Sequence, residues 1–182
     1  MQSRRGYFTL ADEKSIAGQS LAQLLDVRDA NLTAFERRGG KLLMYSGWAD
    51  AVLAPRAGLA YYERVSRRVG GLAQTQRFFR LFMVPGMTHC QGGPAPDAFG
   101  QSSVSPGLSD DPRHDIRRAL ERWVEHGDAS GSLVAVKHRG HDARQGPEAT
   151  QLLCPFPQSA QIATAGDLPA SSYACSDPRG GR

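Results

Sequence analysis

Two short stretches hold the residues best suited to chemistry. "SGWADAVLAP" (Ser46 to Pro55) presents Asp50, and "MVPGMTHCQGGP" (Met83 to Pro94) presents His89 with Cys90 beside it. A carboxylate bonded to one imidazole nitrogen fixes the tautomer and stabilises the imidazolium that forms when the other nitrogen takes a proton. Such a pair is two-thirds of a nucleophilic triad, here with the aspartate upstream of the histidine. On spacing alone it reads equally as a turn aspartate and a loop histidine with a local hydrogen bond.

The remaining candidates have structural explanations. His114 precedes Asp115 at a helix start, where a carboxylate complements the helix dipole. His138, His141 and Asp142 ("HRGHD") lack a further partner at ligand spacing and read as a solvated turn. His126 before Gly127 suits a helix C-terminus, Trp123 suits the core, and Trp48 suits either the core or the rim of a site around Asp50. Cys90, Cys154 and Cys175 make an odd count. It is compatible with three free thiols, or with one disulfide and a cysteine whose partner lies elsewhere.

Asp50 and His89 can meet only if the intervening chain places them at one edge. Residues up to about Gly18 are polar and irregular, Leu21, Leu24 and Leu25 suit a short helix, and Asn31 can cap a turn carrying Leu32 and Phe35. "KLLMY" (Lys41 to Tyr45) is a continuous apolar run bounded by glycines, the pattern of a strand buried on both faces. Pro55 suits the first position of a helix. Leu59, Tyr62, Val65 and Val69 share a face of that helix, and Gly70-Gly71 closes it. "RFFRLFMV" (Arg77 to Val84) is the next strand. Strand, helix, strand at these lengths predicts a parallel βαβ unit with a right-handed crossover. Its two strands open their loops at the same end of the sheet, where α/β proteins gather functional groups.

Beyond Gln91 a Gly-, Pro- and Ser-rich loop runs to Pro112. Asp111-Pro112 is expected to open a helix with Ile116, Leu120, Trp123 and Val124 on one face, ending at Gly127. "SLVAVKH" (Ser132 to His138) is expected as an edge strand, and the remainder as loop. The chain therefore reads as α/β, with an irregular segment over 1–30 and one domain over 31–182.

Composition narrows the function classes. The chain has 182 residues, 40% of them hydrophobic and 22% charged, which is ordinary for a globular domain. The net charge of +4 comes from arginines spread among acidic residues, so a solvated helix face is expected rather than a nucleic-acid patch. No apolar run reaches the roughly 18 to 20 residues needed to span a membrane, so no membrane partner is expected. "MQSRRGYFTLADEKS" has no apolar h-region and is not read as a secretory signal.

Several motifs together resemble the tannase and feruloyl esterase family, which includes the mono(hydroxyethyl) terephthalate hydrolase type. They are "RGGKLLMYSGWADAVLAP" (Arg38 to Pro55), "YYERV" (Tyr61 to Val65), "FFRLFMVPGMTHCQGGP" (Phe78 to Pro94), "ALERWVEHG" (Ala119 to Gly127) and "LLCPFPQ" (Leu152 to Gln158). The resemblance covers roughly Asn31 to Cys175 and implies an α/β-hydrolase fold with Asp50 as triad acid and His89 as general base. It implies that Cys90 pairs with a cysteine beside the nucleophilic serine, and that Cys154 pairs with Cys175. The latter closes a loop worth about 3 kcal/mol by chain entropy. The implied substrates are small aromatic-acid esters, and the implied compartment is exported and oxidising. With no signal in the chain, the compartment stays open.

The chain departs from that pattern at Ala51, where many relatives have proline, and most of all in an absence. The family's nucleophile sits in a Gly-Cys-Ser-x-Gly-Gly elbow, and no G-x-S-x-G occurs in these 182 residues. Ser20 and Ser102 lack the following glycine. The oxyanion donors and the inserted lid with its calcium site are missing too, so no cofactor is expected on this chain. The expectation is the C-terminal part of the parallel sheet of an α/β-hydrolase, lid absent, inactive alone. The alternatives are a non-catalytic subunit that pairs with a separately encoded N-terminal half, or a truncated product.

Overall fold

The structure is a computed structural model that describes residues 27, 29–163 and 170–177; the helix expected around Leu21 to Leu25 lies outside the described residues. The elements below belong to the compact unit Asn31–Arg182. A short helix α1 (Thr33–Arg37) follows Asn31, whose Oδ1 accepts the Thr33 N–H at 3.3 Å.

The βαβ unit forms as the pattern predicts. Strand β1 (Leu42–Gly47) leads to helix α2 (Pro55–Val69), which has proline in its first turn and left-handed Gly70 (φ 103°) at its end. A further short helix, α3 (Leu72–Thr75), turns the chain into β2 (Phe79–Val84). Because α3 and its turn take up Gln76 to Phe78, β2 begins two residues later than the apolar run suggests. The strands pair in parallel and in register, from Leu42 opposite Phe79 to Gly47 opposite Val84. On one face α2 buries Tyr62 against Phe79, with ring centroids 4.9 Å apart. On the other, Phe82 and Val84 enter a core with Phe99, Ile116, Leu133 and Leu153. Each such buried side chain is worth about 1.5–3 kcal/mol.

The two outer edges of this pair differ. Phe82 bridges to Pro155 and the Phe156 N–H donates to Leu81 O at 2.8 Å, so β2 is covered. Among the described residues β1 pairs with β2 alone.

The helix after the long loop starts later than expected. Helix α4 spans Ile116–His126, and Asp115 rather than Asp111 caps it, accepting the N–H groups of Arg117 and Arg118. Asp111 instead organises the preceding turn, because Pro112 follows it and Ser109, Arg113 and His114 bond to its carboxylate.

"SLVAVKH" is a strand but not an edge of the parallel sheet. Strand β3 (Leu133–His138) pairs antiparallel with β4 (Pro147–Leu153), forming a separate two-stranded sheet. The segment read as loop also holds an antiparallel pair, β5 (Ser159–Ile162) with β6 (Tyr173–Ser176). β4 opens on Pro-Glu-Ala and buries only its last two residues, while β5 and β6 have four residues each, too short to display an alternation. A Cys154–Cys175 disulfide links the residue after β4 to β6.

Candidate active site

The parallel register decides which loops meet. Beyond Gly47 the ladder continues for one step, the Trp48 N–H donating to Val84 O at 2.9 Å. The Ala49 N–H then donates to Met87 O at 3.0 Å, tying the loop after β1 to the loop after β2. Asp50 follows at once and folds back on its own backbone. Its Oδ1 accepts from Val52 N at 2.7 Å and Leu53 N at 2.9 Å, the local bonding that aspartate favours in turns. These bonds set the carboxylate's orientation and leave Oδ2 for a second partner.

That partner is His89, whose Nδ1 lies 2.9 Å from Asp50 Oδ2. The aspartate side chain is 7% exposed and the histidine 43%, so a sheltered acid orients a histidine that faces solvent. The Leu53 N–H, then the His89 contact and the Val52 N–H, hold the Asp50 carboxyl below its ordinary pKa against the opposing effect of desolvation. An ionised Asp50 favours the Nδ1–H tautomer, which leaves Nε2 as the basic nitrogen. Among the described residues Nε2 makes no hydrogen bond. The pair can thus accept a proton at Nε2 and stabilise the charge that results.

His89 stands on a tight loop. Thr88 N–H donates to Gly92 O at 2.9 Å, Thr88 Oγ1 donates to Gln91 O at 2.6 Å, and Gln91 N–H donates to His89 O at 2.8 Å. Cys90 at its tip is a free, exposed thiol with φ 64°, a left-handed backbone that is uncommon outside glycine. Trp48 is 44% exposed and borders an apolar cavity of about 340 Å³ shared with Met83, Pro85 and Phe156. Val52 and Leu53 are also exposed beside Asp50.

The other sequence candidates stay apart from this pair. His114 Nδ1 lies 2.7 Å from Asp111 Oδ2, and His138 Nε2 lies 3.0 Å from Pro106 O. Asp142 caps a turn through Arg144 N, and Trp123 is buried. Among the described residues no group of three or more His, Cys, Asp or Glu side chains could hold a metal. Ser102 Oγ is 3.5 Å from Gln91 Oε1, not placed on His89, and Ser20 lies outside the described residues. The sequence reading missed the Met87 carbonyl that joins the two loops. Its only trace is Gly47, where an added Cβ would fall 2.2 Å from that oxygen.

Known proteins resemble the chain along most of its length. The model of the family described as "Tannase and feruloyl esterase" matches residues 1–176. An uncharacterised esterase of Xanthomonas campestris is 43% identical over 93% of this chain and 32% of its own length. A mono(2-hydroxyethyl) terephthalate hydrolase of Piscinibacter sakaiensis is 37% identical over 81% of this chain and 22% of its own. The crystal structure of feruloyl esterase B from Aspergillus oryzae superposes with a TM-score of 0.73 at 25% identity, over 81% of this chain and 29% of that one. The chain therefore spans a third or less of these relatives.

Proposed function

Because the chain belongs to the tannase and feruloyl esterase family, we propose that it supplies the acid and base of a carboxylic ester hydrolase. The observation that carries this reading is the 2.9 Å contact between His89 Nδ1 and the sheltered Asp50 carboxylate, with Nε2 exposed. In the complete site a serine attacks the ester carbonyl as His89 Nε2 takes its proton. His89 returns that proton to the departing alkoxide, and Asp50 holds the ring and stabilises the imidazolium between the two steps. A water, deprotonated by His89 in turn, releases the acid and regenerates the serine.

These 182 residues contain no G-x-S-x-G elbow, so the serine and its oxyanion donors are assigned to residues outside them. In this reading the chain is part of an α/β-hydrolase sheet without the lid, and the remaining strands add at the outer edge of β1. Cys90, exposed beside His89, pairs with a cysteine next to that serine. The names of the relatives support small aromatic-acid esters as substrates. The Cys154–Cys175 disulfide supports an oxidising compartment.

The experiment has two arms, both read by hydrolysis of an aryl ester. The chain alone is expected to give no turnover above a His89→Ala control. A chimera in which it replaces the matching third of the Xanthomonas esterase is expected to be active, and to lose about 10³-fold or more in kcat on His89→Ala. Turnover by the chain alone that His89→Ala abolishes would place a nucleophile within it. A folded chimera indifferent to His89→Ala would refute the role of His89.

A further inference from the structure

The loop that carries His89 is fastened from behind by an ion pair that takes no part in the acid–base chemistry. Asp97 and Lys137 are both nearly buried, with side chains 12% and 13% exposed, and Lys137 Nζ lies 3.8 Å from Asp97 Oδ1. The pair grips two successive glycines. Asp97 Oδ2 accepts the Gly92 N–H at 2.5 Å, and Lys137 Nζ donates to Gly93 O at 2.5 Å.

Those glycines close the loop. Gly92 O receives the Thr88 N–H, one residue before His89. Gly93 is folded so tightly against the loop's start that a Cβ there would fall 2.0 Å from Gly86 O and 3.3 Å from Thr88 N. A second tether reaches the other side of the histidine. Gln101 Nε2 donates to Asp97 O at 2.7 Å and stands 3.4 Å from Cys90 O.

The pair is itself rooted in the core. Lys137 belongs to β3, whose Leu133, Ala135 and Val136 are fully buried. Ala98, next to Asp97, exchanges hydrogen bonds with Val136: Val136 N–H donates to Ala98 O at 2.8 Å and Ala98 N–H to Val136 O at 3.1 Å. A rigid strand, an ion pair and a two-glycine turn thus lie in series behind His89. The His89 side chain itself is 43% exposed, so its own packing holds it on one side only.

We propose that Asp97 and Lys137 are positioning residues for His89, holding its loop at the place where Nδ1 meets Asp50. The inference rests on the reading of Asp50 and His89 as acid and base. Catalytic side chains need their supporting groups locked to well under an ångström, and a loop in which none of the residues from Thr88 to Gly92 is buried does not provide that unaided.

The test reads the ring rather than turnover. Imidazole 15N spectra of the chain are recorded above the histidine titration range, with His89 assigned by its loss in His89→Ala. The unaltered chain is expected to hold His89 mainly as the Nδ1–H form, and Asp50→Ala to shift it to mainly Nε2–H. Lys137→Met and Asp97→Asn are expected to produce the same shift while the chain still melts cooperatively, and Lys137→Arg to retain the Nδ1–H form. If Asp50→Ala shifts the tautomer but both other variants leave it unchanged, the positioning inference fails and the acid–base reading stands. An Nε2–H form in the unaltered chain, indifferent to Asp50→Ala, overturns both. Should Asp97→Asn fail to fold, Lys137→Met decides the matter, since it leaves Asp97 and its bond to Gly92 in place.

Discussion

Gly47 and Met87 meet backbone to backbone: a Cβ at Gly47 would sit 2.2 Å from the Met87 carbonyl oxygen and 2.6 Å from that of Thr88. Neither obstacle is a side-chain end that could swing aside. Gly47→Ala should therefore push apart the loops of Asp50 and His89 and destabilise the chain by about 1–3 kcal/mol, as overpacking does. Urea unfolding measures it. Gly58→Ala is the contrast. It lies within α2, its nearest neighbour would be Met44 at 3.8 Å, and the helix favours alanine. That change should stabilise by about 0.4–1 kcal/mol.

Acid should act on the aspartates of depressed pKa, Asp111 and Asp50 among them. Ser109 Oγ, with His114 and the Arg113 N–H, lowers Asp111 to about 2, and Asp50 is lowered by Leu53 N–H and His89. A carboxylate whose folded pKa lies below its unfolded one stabilises fully above the unfolded value, about 3.9. That contribution disappears as pH falls through the folded value. Carboxyl 13C titration of Asp111 should show a midpoint at about 2. The acid-side loss of stability should be shallower in Asp111→Asn. Because Asp111 is 47% exposed, solvent screening keeps that difference small.

The disulfide should matter more. Cys154 and Cys175 are separated by 21 positions, and chain entropy assigns such a closure about 3 kcal/mol. A Cys154→Ser, Cys175→Ser double variant should unfold at lower urea by that margin. Dithiothreitol should weaken the unaltered chain equally and leave the variant unchanged.

Thiol titration isolates Cys90. As the one free and exposed cysteine it should react with Ellman's reagent at one equivalent per native chain. Cys90→Ser should abolish that reaction. Two or more equivalents under non-reducing conditions would contradict the pairing of Cys154 with Cys175.

The part of the site that depends on period was open to reading from sequence. Apolar runs at Leu42–Tyr45 and Phe79–Val84, the second broken only by Arg80, with an amphipathic helix between, dictate a parallel pair, and a parallel pair puts Asp50 and His89 at one end. What escaped depends on long-range partners. β4, β5 and β6 are strands because of what they pair with and bridge to, not because of their own residues. The start of α4 was misplaced because Asp111-Pro112 and Asp115 both resemble caps, and only the packed turn between them distinguishes the two. Nothing local to Lys137, a polar position near the end of β3, announces that its ammonium will reach Gly93.

The in-register parallel pair also bears on how such a site comes together. Asp50 and His89, the acid and base of the proposed function, leave neighbouring strands at the same level and find each other through contacts made within one βαβ unit, the loop that follows it and its backing strand. On that reading their geometry is settled before any nucleophile arrives. Building a triad then ceases to be a three-body encounter: a finished dyad has only to be docked against a serine, and the orientational entropy left to that last step is that of two rigid pieces rather than three loose loops.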